Sequence, residues 1–346
     1  MNNKQQLNRP LLVLMLLLSH FFVIAETTPD WKIHQLPNQS SLRSSAIKDN
    51  VIWVAGTKGT VYKSTDKGTT WIDVSLKNQT ETDIRDIQAL DENTAILMSV
   101  GTGQKSRLYK TTDQGLSWEI LYQNVDETGF FDSIAFWDKD NGLLLGDPVD
   151  GYYVIKKTHD GGKTWSRVKS KNLPKILEKE AAFAASGNTL IIGKNGQAWF
   201  TTGGFSASIM SSKNHGKTWQ RQSLPLYDKT QTAGGYGIAI NNLHEVFVVG
   251  GDYLLRDGSY NNAVVLVKKD GKSKWLKLTT GNKGLRTAMA CMKSTCIITG
   301  KLSSDISFDN GHTWKPLHNQ GFYTLATEAN TIVAAGADGL VGVMIF

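Results

Sequence analysis

Only two of the 346 residues are cysteine, Cys291 and Cys296, too few for a disulfide framework or a thiolate metal cage, and no Cys-x-x-Cys redox motif occurs. The seven histidines form no cluster either. His20 lies near the N-terminus, His34, His244 and His318 are isolated, and His159, His215 and His312 recur singly at long intervals. Metal chemistry is therefore not expected, and without a dinucleotide fingerprint or a flavin motif no cofactor is expected. Beyond the N-terminus no apolar run approaches the roughly 20 residues of a membrane-crossing helix. Basic residues are scattered through turns, as in Lys156-Lys157 and Lys268-Lys269, with no stripe and no interleaved aromatics, which argues against nucleic acid as a partner.

What is present begins with a basic start, Lys4 and Arg9, an apolar run from Leu11 to Ile24, and a small-residue site ending at Ala25. That is the pattern of a secretory signal peptide cleaved before Glu26. Ser19 and His20 interrupt the run, which is about 14 residues long and too short to span a bilayer. The expectation is a signal peptide over residues 1–25 and one mature domain over 26–346, secreted or periplasmic, monomeric, with no membrane span after cleavage. The mature part carries 36 basic against 31 acidic side chains, a mild excess that reads as a solvated surface. Export would place Cys291 and Cys296 where a disulfide persists. They flank a short turn between apolar stretches, so a bridge across a hairpin is geometrically feasible, the alternative being two buried thiols.

An octet dominates the rest of the chain. Ser64-Thr65-Asp66-Lys67-Gly68-Thr69-Thr70-Trp71 returns around Asp113, Gly115 and Trp118, around Asp160, Gly162 and Trp165, and around Asp309, Gly311 and Trp314. A further copy has Asn214 in the Asp position, with Gly216 and Trp219, and another keeps Asp270 and Trp275 with its Gly one place early, which predicts a distorted turn. The carboxylate can accept hydrogen bonds from its own turn, the Gly supplies a positive φ, and the Trp offers a broad apolar plate at the start of the next strand. Six copies cannot all face one site, so these residues read as structural clasps rather than ligands.

Spacings of 47, 47, 54, 56 and 39 residues between the octet tryptophans match four-stranded propeller blades. Each interval has apolar, β-branched stretches bounded by Gly, Asn and Asp, as in Ile84–Leu90, Thr94–Val100, Arg107–Lys110 and Trp118–Tyr122, which is strand grammar. One helix-like stretch, Pro174–Ala185, is read as a connection into an inner strand. The tail Ile332-Val333-Ala334-Ala335-Gly336-Ala337-Asp338-Gly339 echoes Ile52-Trp53-Val54-Ala55-Gly56-Thr57-Lys58-Gly59 but stops before an octet, whereas Trp31-Lys32-Ile33-His34 resembles an outermost strand lacking one. The fold class is therefore all-β: a single seven-bladed propeller of four-stranded antiparallel blades, closed by strands from both termini.

With these octets, and with Gly129–Asp138, Gly146–Gly151 and Gly250-Gly251-Asp252-Tyr253, the chain resembles the Asp-box propellers known as photosystem II stability and assembly factor-like, BNR-repeat or sialidase-like proteins. The resemblance covers nearly all of the mature part and implies a bacterial exported subgroup, some of whose members carry oxidoreductase or glycosyl hydrolase labels.

In a propeller the inner-strand starts and the turns between second and third strands share one face beside the channel. Aligning the repeats places Arg43, Arg85 with Asp86, Asp132, Glu180, Tyr236, Arg286 and Tyr323 at inner-strand starts, and Asp147, Asp252 and Asp305 in the second turns. The turns Gly203–Ser211 and Gly251–Asn262 read as long loops. The leading expectation is a non-enzymatic binding or assembly propeller that holds a protein segment or small anionic ligand through Arg43, Arg85 and Arg286. Arginines, tyrosines and carboxylates in one cleft would also suit a glycoside hydrolase of sialidase type, with a Tyr–Glu nucleophile and an Asp acid. Charged residues at strand ends are also ordinary solvated rim.

Overall fold

Seven stretches of alternating and apolar residues, each followed by three more at hairpin distance, can bury both faces only by stacking sheet on sheet around an axis. A computed structural model shows this arrangement. It describes residues 29–346 except positions 259, 260, 270 and 283. The signal segment 1–25 and Asp270 lie outside the described residues.

Among the described residues, 28 strands form seven four-stranded antiparallel sheets, with 3-10 turns and no α-helix. The inner strands of blades one to seven are Leu42–Lys48, Asp83–Ala89, Phe131–Phe136, Leu190–Ile192, Ala233–Ile240, Ala288–Met292 and Thr324–Glu328. Blade seven continues through Thr331–Ala335 and Leu340–Ile345, and Lys32–Gln35 adds on as its outer strand, with Ile33 opposite Gly342. Both chain ends thus close the ring, leaving no sheet edge between first and last blades.

The core consists of seven apolar clusters, each holding a tryptophan. Trp71, Trp118, Trp165, Trp219, Trp275 and Trp314 pack into six of them, and Trp31 packs with Phe322, Leu325 and Met344 in the seventh. Trp31 precedes the outer strand of blade seven as the octet tryptophans precede theirs, so it fills the seventh place without an octet. Several indoles are also fixed by hydrogen bonds, Trp118 Nε1 to the Val74 carbonyl and Trp219 Nε1 to the Gly216 carbonyl.

Each complete octet closes the hairpin between third and fourth strands. Asp66 accepts from the Thr70 N–H and hydroxyl, and Ser64 Oγ accepts from the Gly68 N–H. Gly68 sits at φ +79°, and a Cβ there would meet Val343 of the neighbouring blade. The same bonds recur at Asp113, Asp160 and Asp309, while Asn214 accepts from the Thr218 N–H and donates its Nδ2 to the Thr218 hydroxyl. Hydroxyl and N–H donation by Ser117 and Thr164 holds the Asp113 and Asp160 carboxyls down at about 2, and that by Thr70 holds Asp66 lower still. The copy that ends at Trp275 departs from this geometry: strands Ala263–Lys269 and Lys272–Lys277 run into a short turn, with Trp275 opposite Leu266 inside the ladder.

Cys291 and Cys296 face each other across the hairpin of blade six and are disulfide-bonded. The stretch Pro174–Ala185 contains no helix, and the inner strand that follows it is only three residues long. The turn at Gly203 is shorter than its composition suggested, because Ser208–Ser212 is already strand, paired with Ala198–Thr202.

Candidate functional site

Four inner strands carry a β-bulge near their channel end. In each the ladder skips one residue: Arg43 in blade one, Arg85 in blade two, Asp132 in blade three and Tyr236 in blade five. A bulge lets an extra side chain leave the alternation of the strand and be re-aimed. All four re-aimed side chains line a single cavity of about 400 Å³ at the axis. Asp147, the bulge residue between the second and third strands of blade three, lines it too, as do Thr287 and Tyr323 immediately before the inner strands of blades six and seven.

The floor of this cup comes from blade four. Residues 183–188 cross the axis instead of forming inner strand. Arg85 Nη1 donates to the Ala184 carbonyl, Asn188 Nδ2 to the Leu325 carbonyl and Thr324 Oγ1 to Asn188 Oδ1, while the Ile238 N–H donates to the Asn188 carbonyl. The segment is thereby tied to blades two, five and seven. Gly187, at φ +69°, lies where a Cβ would come within 2.6 Å of Asp86 Oδ1. Small residues are what allow the crossing, and the channel is a closed cup.

Charge in the cup is divided. Arg43 stacks on the Tyr323 ring with its Cζ 4.2 Å from the centroid and donates Nε to Ser41 Oγ. Burial, together with the charges of Arg85 and Arg256, disfavours its guanidinium. Arg85 is neutralised by a two-point ion pair with Asp83, at 2.8 and 2.7 Å. Arg256 stands on the loop between the second and third strands of blade five, its Nε bonded to the Tyr253 carbonyl, and Lys301 on the corresponding loop of blade six. On blade three, next to Arg85, Asp132 is fully buried, its Oδ2 without a hydrogen-bond partner among the described residues. Burial and then the nearby Asp147 push its carboxyl well up, and burial also raises Asp147. Phe130 and the stacked pair Phe183–Tyr236, with centroids 4.6 Å apart, supply aromatic walls.

Six of the eleven residues expected on the channel face therefore meet in the cup: Arg43, Arg85, Asp132, Asp147, Tyr236 and Tyr323. The other five serve the framework. Arg286 is the principal correction. Its fully buried guanidinium is 2.7 Å from Asp305, with the Asn282 N–H on the other carboxylate oxygen. The repeat alignment is off by one there: Thr287 N donates to Thr299 O just as Tyr323 N donates to Ala335 O. Thr287 thus holds the channel position, and Arg286 the inward one that Leu42, Phe131 and Phe322 hold elsewhere.

Asp86 accepts from Ser133 Oγ and the Ile134 N–H, joining blades two and three, and burial drives it up to about 7. Glu180 precedes the plug rather than an inner strand, and is held by Arg221 at 2.6 Å and Thr202 at 2.7 Å. Asp252 accepts from Thr230, Thr232 and the Leu254 N–H, and so anchors the loop that presents Arg256. The residues that sequence reasoning missed are Arg256, Lys301, Phe130 and Phe183. Only the length of the Gly251–Asn262 loop signalled the first of these.

These carboxyls make the stability profile with pH testable. The octet carboxylates contribute fully above the unfolded-state value of about 4, and lose that contribution as pH falls toward 2. Asp86, raised to about 7, acts in the opposite sense, because the folded chain keeps a proton that the unfolded chain releases. Its contribution is complete below about pH 4 and is lost as pH rises through 7. The melting temperature is expected to peak between about pH 4 and 5. A monotonic rise from pH 3 to pH 8 in a calorimetric series would contradict this assignment.

Fold and site together define a seven-bladed propeller with a plugged axis and a cup lined by arginines from blades one, two and five and by two carboxyls from blade three. Residues 23–129 match the family model described as photosynthesis system II assembly factor YCF48, in keeping with the resemblance carried by the octets. Among solved structures, the chain is similar to one of YCF48 bound to D1 peptide, at 15% identity over 93% of this chain and 96% of that one, TM-score 0.68. YCF48 from Cyanidioschyzon merolae is similar at 14% identity over 91% and 99%, TM-score 0.66. A GH74 xyloglucanase from Xanthomonas campestris matches at 11% identity and TM-score 0.61, over 90% of this chain but 53% of its own. At these identities the likeness is one of fold. A search of curated proteins gives no match.

Proposed function

We propose that this chain is an exported, non-enzymatic binding propeller that grips an anionic protein segment in its cup. The observation that carries this reading is the guanidinium of Arg43, which lines the cup and has no ion-paired carboxylate among the described residues, its charge disfavoured first by burial and then by Arg85. An incoming carboxylate would relieve that repulsion and take charge-assisted hydrogen bonds. The rim favours a peptide over a small inorganic anion: Phe205, Tyr253, Leu254, Leu255 and Leu302 are exposed on the channel-face loops of blades four to six. The peptide-bound YCF48 structure, similar in fold, adds support for a polypeptide occupant.

The sialidase-type reading loses its nucleophile. Tyr236 gives its hydroxyl to the Thr232 carbonyl, Tyr323 lies under Arg43, and Glu180 is taken by Arg221. The test is calorimetric titration of the mature protein with apolar peptides containing one Glu, or Gln in its place, alongside a panel of sialosides. Binding at least about 10-fold tighter for Glu, weakening with salt, is expected. Equal affinities, or turnover of a sialoside, would overturn the proposal. Export would be seen as a periplasmic or secreted product that starts at Glu26.

A further inference from the structure

The anion reading uses the arginines of the cup and leaves its carboxyls unexplained. Asp132 and Asp147 are two carboxyl groups on adjacent strands of blade three, each placed at the cavity by its own bulge. Neither has an ion-paired cation among the described residues, and Asp132 Oδ2 is a buried acceptor without a donor. Tyr153, next to them in the ladder opposite Pro148, has a buried hydroxyl that also lacks a partner. Buried polar groups are almost always satisfied, so a cluster of this kind asks for a donor from outside. The surrounding surfaces, Phe130 and the stack of Phe183 on Tyr236, are the aromatic faces against which an alkylammonium is favoured.

We infer that Asp132 and Asp147 form a cation subsite for a lysine-type ammonium, so that the cup takes a dipolar peptide segment carrying a carboxylate and a basic side chain a few residues apart. The inference rests on the anion reading of the same cup, and adds that one ligand meets both the arginines and the carboxyls. An ammonium has three N–H donors, enough for Asp132 and Asp147, the two carboxyls that line the cavity. Without a cation, burial raises both carboxyls, and the charge of Asp147 raises Asp132 further. A bound ammonium offsets that repulsion.

The experiment uses the mature protein and apolar peptides with Glu and Lys one, two or three residues apart, compared with versions carrying norleucine for Lys or Gln for Glu. For the best spacing, Lys→norleucine is expected to weaken binding about 10-fold and Glu→Gln about 30-fold, as for charge-assisted bonds. In Asp132→Asn the Lys preference should vanish while the Glu preference survives. Asp147→Asn, on a less buried position, provides the same comparison if the first variant folds poorly, as read from its melting curve. Equal affinity for Lys and norleucine at every spacing, with Glu still preferred, overturns the cation subsite alone. Equal affinity for Glu and Gln overturns the underlying anion reading. A Lys preference that persists in both Asn variants also overturns the assignment to Asp132 and Asp147.

Discussion

Replacing Arg286 with Ala is expected to cost about 3–5 kcal/mol of stability, because it strands Asp305 as an uncompensated charge where no side-chain surface reaches water. Arg286 also donates to Ser303 Oγ and to the Asn282 carbonyl, so its loss empties a position that supports the loop before the inner strand of blade six. In a domain of this size the melting temperature should fall by roughly 6–15 °C. The double replacement Arg286→Met with Asp305→Leu is expected to recover most of that loss, since a buried ion pair gains little over well-packed apolar groups. Peptide affinity in the double variant should be unchanged, because neither residue lines the cup. A single Arg286→Ala variant that melts within about 2 °C of the parent would remove the argument.

The second large effect concerns binding. Arg43→Gln together with Arg256→Gln is expected to lower affinity for a Glu-containing peptide by about 100- to 10,000-fold, the sum of two charge-assisted hydrogen bonds at about 1.5–3 kcal/mol each. Arg256 is exposed on its loop, and among the described residues its side chain bonds to the Tyr253 carbonyl, so its single variant should fold and melt like the parent while losing at least about 10-fold in affinity. Arg85 is expected to behave differently. Its charge is already balanced by Asp83 and one nitrogen holds the plug at Ala184, so Arg85→Gln should lower stability as much as affinity. An Arg43/Arg256 double variant that binds as the parent does would place the ligand elsewhere.

The blade pattern was readable because its signals are short-range. An octet folds on its own hydrogen bonds, Gly68 and its counterparts meet a local backbone need, and five of the six octet tryptophans stand immediately before a strand. The incomplete tail and the strand at Trp31 were enough to deduce the closure of the ring. Half of the channel-face residues were found in the same way, by counting from the octets. Counting failed where a bulge or a displaced strand changed the register. Arg286 missed the channel by one position, and Glu180 was assigned to an inner strand that begins only at Leu190.

Chemistry at the cup depends on contacts between blades that are remote in the chain, which no repeat records. The helix-like stretch Pro174–Ala185 reads as a connection into an inner strand, whereas its end and the residues up to 188 form a floor, with Gly187 packed where a Cβ would meet Asp86. Arg256 and Lys301 came to the rim on loops whose course is set by Asp252 and by the neighbouring blade, not by their own residues. Local hydrogen bonding and strand alternation therefore dictated the propeller from the amino acids alone. The pairing of arginines with carboxyls across one cavity had to await the closed ring, because it arises from side chains that approach each other only when all seven sheets are packed.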